Sequence, residues 1–135
     1  MTPTTSAISL LVFEAADCLM AIPASEIAHM EGANRRREGF PETPGGNPSR
    51  PLFAFDLGEY FSGRESDGPW LRWGRGSRIA WLRVRRVVDV VPVAVSVLTP
   101  MPALFRRQSR TRAFLAAGVR GEEVFLLLDP ARLTS

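Results

Sequence analysis

LFAFDLGEYF, from Leu52 to Phe61, and FLLLDPARLT, from Phe125 to Thr134, follow one plan. In each, a short apolar run ends in an aspartate, Asp56 or Asp129, and a short amphipathic turn follows. A run of this length bounded by a turn-former reads as a buried strand, because a helix needs more residues to bury a face. The two stretches superpose at an offset of 73 residues.

A second pair lies upstream of these. AIPASEIAHM, from Ala21, lies over WLRVRRVVDV, from Trp81, without a gap at an offset of 60. Ile22 then meets Leu82, Ala24 meets Val84, Ile27 meets Val87 and Met30 meets Val90. Two matches in the same order point to two copies of one strand, turn, loop, strand unit, as in a pair of small barrels. Chance likeness between apolar β segments is the competing reading.

The rest of the chain is compatible with that plan. Ile8 to Phe13 and Leu19 to Ile22 read as paired strands about a turn at Asp17, and Trp70 to Trp73, Ile79 to Val84 and Val88 to Leu98 as further short strands. Phe114 to Val119 and Val124 to Leu128 flank the turn Arg120 to Glu123 as a hairpin. From Pro23 to Met30 the apolar spacing suits a short helical or irregular connection. Residues 31–51 contain NRRR, four prolines and a Gly-Gly pair and read as a long loop. FRRQSRTR, from Phe105 to Arg112, reads as a basic connection.

A chain of 135 residues suits one domain, spanning 1–135. One cysteine, Cys18, and one histidine, His29, exclude an internal disulfide and the usual Cys/His zinc sets. The apolar opening has no basic residue before it and is interrupted by Glu14, so it is a poor signal peptide. Val87 to Leu98 carries Asp89 and Pro92 and is too short to span a bilayer. The expected location is therefore the cytoplasm, with no membrane insertion. All 17 basic residues are arginine, which removes a Walker A lysine and a Schiff-base lysine. No G-x-S-x-G elbow occurs, and Gly74-Arg75-Gly76 reads as a hairpin turn. No enzyme, cofactor or metal is expected.

In their order along the chain, four of these segments resemble the CheW-like domain family. LLVFEAADCLMAIPASEIAHM (Leu10 to Met30) is similar to its strand, turn, strand and V-x-E-I element. Phe55-Asp56-Leu57 is similar to its strand ending in Asp-Leu, RIAWLRVRRVVDVV (Arg78 to Val91) to its V-D-x-V-x-E-V element, and VFLLLDPARL (Val124 to Leu133) to its last strand. The resemblance implies an all-β fold of two intertwined, five-stranded SH3-like barrels with short helical turns. It also implies a noncatalytic, bacterial signalling adaptor that joins a chemoreceptor's cytoplasmic tip to the regulatory domain of a CheA-type histidine kinase. Partner contacts would then fall at Ile27, His29, Met30, Asp56, Leu57, Arg85, Val87 and Asp89.

Three departures accompany the resemblance. His29 stands where V-x-E-I has a carboxylate, Arg85 stands where V-D-x-V has Asp, and Asn47-Pro48-Ser49-Arg50 replaces N-L-R-G. The exchange of acidic for basic or neutral positions points to a more acidic partner. From a different class, Arg35 to Arg37, Arg83, Arg85, Arg86 and Arg106 to Arg112, with Trp70, Trp73 and Trp81 as stacking platforms, fit a small barrel that binds nucleic acid. This is the weaker alternative, because acidic residues nearly balance the charge.

Overall fold

The computed structural model describes residues 7–32, 53–108 and 111–133. The loop expected over 31–51 lies almost wholly outside them, as do Arg35 to Arg37 and Asn47 to Arg50. The described residues form ten strands: β1 (Ala7–Ala15), β2 (Cys18–Pro23), β3 (Ile27–Glu31), β4 (Phe53–Asp56), β5 (Trp70–Arg75), β6 (Arg78–Arg83), β7 (Arg86–Ala94), β8 (Thr99–Pro100), β9 (Phe114–Arg120) and β10 (Glu123–Leu128). Two short helices, α1 (Leu57–Ser62) and α2 (Ala103–Arg107), and several 3-10 turns connect them.

One expectation from the sequence is corrected here. Only Ala24–Glu26 is helical, as one 3-10 turn, and Ile27–Glu31 is a strand, because ladder bonds to β5 outweigh the helix-like apolar spacing. The basic connection overlaps most of α2 and the 3-10 turn at Thr111–Ala113.

Hydrogen bonding divides the strands into a six-stranded sheet, β7-β1-β2-β10-β9-β8, and a four-stranded sheet, β3-β5-β6-β4. The run β7-β1-β2-β10 matches β3-β5-β6-β4 in the sense of every pairing, antiparallel twice and then parallel. The registers match under the offsets of 60 and 73. Val12 faces Ala21 as Arg72 faces Trp81; Val12 faces Asp89 as Arg72 faces His29; and Leu127 faces Ala21 as Ala54 faces Trp81. Even the bulge recurs, with Ala28 skipped in β3 and Val88 in β7. The chain crosses from one sheet to the other between β2 and β3, and crosses back between β6 and β7.

Both faces of β1 are buried, so its apolar run is continuous where a one-sided strand would alternate. Leu11, Phe13 and Ala15 join Met20, Ile22, Leu71, Trp73 and Leu82 in the core between the sheets. Leu10 and Val12 join Ala21, Val93 and Phe125 in a second core inside the six-stranded sheet. That sheet is strongly curled. In its order β1, β2 and β10 separate β7 from β9, a distance of about 19 Å if it were flat. Yet Arg120 Nη2 on β9 lies 3.4 Å from Asp89 Oδ2 on β7.

The β1–β2 turn uses Ala16 (φ 51°) and Asp17 (φ 60°), both left-handed, which suits the twist of a two-residue hairpin. Gly76, at φ 61°, takes the place of Ala16 in the β5–β6 hairpin.

Candidate protein-interaction surface

The residues singled out from sequence divide into an exposed set on two edge strands and a buried pair. β3 and β7 each end a sheet, so each has backbone groups that no strand of its own sheet pairs. Ile27, His29 and Met30 lie on β3; Val87, Asp89 and Val90 lie at the matching positions of β7. Met30 is 48% and Val90 51% exposed, while Ile27 and Val87 are half-buried and pack on the main core. His29 is exposed, bonds Glu31 Oε1 through Nε2 at 3.1 Å, and sets its ring edge-on to Trp81 at 6.3 Å. Its equivalent, Asp89, is held by Arg120, whose Nη1 also reaches Glu123 Oε1 at 3.2 Å. Around that ion network Val119 and Val124 face each other across β9 and β10, and both are largely exposed.

Asp56 and Leu57 must be withdrawn as contact residues. Leu57 has no exposed surface and fills the main core; Asp56 is buried and its carboxylate serves the chain itself. Asp56 Oδ1 accepts from Glu59 N at 3.2 Å, capping α1, and Oδ1 and Oδ2 accept from Ser66 N at 3.0 and 2.8 Å. Asp129 has the same place after β10, where Oδ1 accepts from Ala131 N at 3.1 Å. Sequence alone showed a carboxylate at a strand end, and did not show which way it turned.

Arg85 sits on the bend between β6 and β7. The bend is fixed from both sides: Arg85 N donates to Glu14 O at 2.8 Å, and Gly68 lies so close to the Val84 and Arg85 carbonyls that no side chain would fit there. Its guanidinium is exposed on a shallow cleft of about 270 Å³ that Asp17, Glu65 and Asp67 also line. Asp17 Oδ1 lies 3.9 Å away. The positive charge that departs from the family pattern is thus set among carboxylates.

The best-formed polar cluster is one that sequence reading missed. Glu26, in the turn before β3, accepts from Trp73 Nε1 at 2.9 Å and from Arg75 Nε and Nη2 at 2.8 and 3.1 Å. Arg75 Nη1 then donates to Asp129 Oδ1 at 3.1 Å, tying β5 of one sheet to the end of β10 in the other. Burial pushes the Glu26 carboxyl up, but the Arg75 and Trp73 hydrogen bonds and the Arg75 charge outweigh it and hold it below 4.5. Arg75 is raised, chiefly by its bond to Glu26. No local motif announces the cluster, since 49 residues separate Glu26 from Arg75.

Among the described residues no group of acidic, His and Cys side chains is arranged to hold a metal. No helix among them is long and apolar enough to cross a membrane. Trp70 and Trp73 are 1% exposed and Trp81 5%, so the stacking platforms that the nucleic-acid alternative needs are packed inside.

No family model matches this chain, and no curated protein matches it. Among solved structures it is similar to the scaffolding protein TtCheW from Thermoanaerobacter tengcongensis, with a TM-score of 0.68 and 15% sequence identity. The match covers 94% of this chain and 86% of that one. This chain therefore has a CheW-like, all-β fold of the SH3-like type.

Proposed function

We propose that this protein is a noncatalytic adaptor that binds the regulatory domain of a CheA-like histidine kinase in a chemosensory pathway, with a chemoreceptor's cytoplasmic tip as a second partner. The observation that carries the reading is the placement of the candidate contacts. Ile27, His29 and Met30 on one edge strand and Val87, Asp89 and Val90 on the other occupy equivalent positions, each edge pairing a half-buried apolar anchor with an exposed one and a polar residue. Apolar anchors supply most of the affinity of such surfaces, and neighbouring charges select the partner. Likeness in fold to a scaffolding protein supports the same class of role. The shared registers support reading the single domain as two copies of one unit. The place of action proposed is the cytoplasm.

A titration of the full chain against the cognate kinase regulatory domain tests the reading. Binding at tens of micromolar or tighter is expected, weakened about tenfold by Met30→Asp, because a charge would then be buried at the interface. Arg85→Asp should shift preference toward a more basic regulatory domain. Absence of binding at that concentration overturns the adaptor reading.

A further inference from the structure

From Val90 to Gly121 the chain contains no aspartate or glutamate and has five arginines. This acid-free stretch includes β8, an edge strand of only two residues, and α2, which follows it. Leu104 is 64% and Phe105 39% exposed on α2, and Val97 is 63% exposed just before β8. A five-residue helix cannot turn all its apolar residues inward, but this one is firmly anchored. Thr111 Oγ1 donates to Phe105 O at 2.8 Å, and Met101 N, just ahead of the helix, to Leu115 O at 3.0 Å. The apolar pair is thus presented on a fixed support. Arg107 and Arg112 accompany it, and among the described residues neither guanidinium makes an ion pair, whereas Arg75, Arg86, Arg120 and Arg132 all do.

We propose that the α2 segment, through Leu104, Phe105, Arg107 and Arg112, is a docking site for an acidic amphipathic segment of another protein. Charge complementarity names the occupant: unpaired arginines beside exposed apolar groups are matched by carboxylates beside apolar groups. A lipid surface is a poorer match, because interfacial helices bury a long apolar face and α2 has two large apolar residues. Single-stranded nucleic acid is also poorer, since among the described residues Phe105 is the one aromatic residue that is exposed, and the tryptophans are packed away. The proposal does not depend on the kinase reading.

The test uses the full chain and a fluorescent amphipathic peptide of about 18 residues, leucine on one face and glutamate on the other. Anisotropy should show binding that weakens as salt rises. It should weaken about tenfold or more with glutamine in place of glutamate, with R107E/R112E, and with L104S/F105S. Circular dichroism should show both variants folded, since all four residues are exposed or half-exposed. If either variant unfolds, amide shifts in the unaltered chain decide: changes centred on residues 97–112 support the site, and changes elsewhere overturn it. No binding, equal binding of the glutamine peptide, or tighter binding of phosphatidylglycerol vesicles or a single-stranded oligonucleotide overturns the proposal.

Discussion

Asp56 shows why a residue at a candidate contact position must be judged by where its oxygens point. Its carboxylate holds two backbone N–H groups, one on the first turn of α1 and one in the segment that returns to β5. With the side chain removed, Ser66 N loses its partner in a buried setting and α1 loses its cap. Asp56→Ala should therefore cost about 2–3 kcal/mol, read as a lower urea midpoint with an unchanged slope. An effect on partner binding with stability unchanged would restore Asp56 as a contact. The sequence made the strand end and its aspartate legible, but not the capping role. It could not reveal the bond to Ser66, ten residues away, which depends on how the intervening segment folds back.

Among elements, the stretch from Ala24 to Met30 illustrates where local pattern fails. Its apolar spacing resembles a helix, yet β5 supplies a ladder partner and strand geometry wins. The same turn carries Glu26, whose cluster joins three elements. Its carboxyl is held below 4.5 in the folded chain, so the stability it adds is fully present above that value. That stability is lost as pH falls through the lowered folded value. Glu26→Gln should be less stable than the native chain at pH 7, and the gap should narrow as the pH falls below about 4.5. Urea midpoints of both proteins across that range would check this. A gap that stays constant or widens in acid would contradict the assignment of the stabilising charge to Glu26.

For the whole molecule, the sequence carried the fold further than it carried the surface. Offsets of 60 and 73, read from the apolar runs and the aspartates that close two of them, reproduce the registers of β2, β4, β6 and β10, because buried strands leave their pattern in the chain. The surface left no such pattern: Val119, Val124 and Leu104 are apolar like core residues, and only position shows that they face out. Likewise Trp70, Trp73 and Trp81 fit a core and, as the weaker alternative, a set of stacking platforms; their burial assigns them to the core. The proposed adaptor role places a CheA-like regulatory domain on the β3 and β7 edges. Hydrogen exchange of the full chain, with and without a saturating amount of the cognate regulatory domain, tests that placement. Slowed exchange is expected at amides of residues 27–31 and 86–94, with the interior of β10 unchanged. Unaltered exchange at both edges would contradict it.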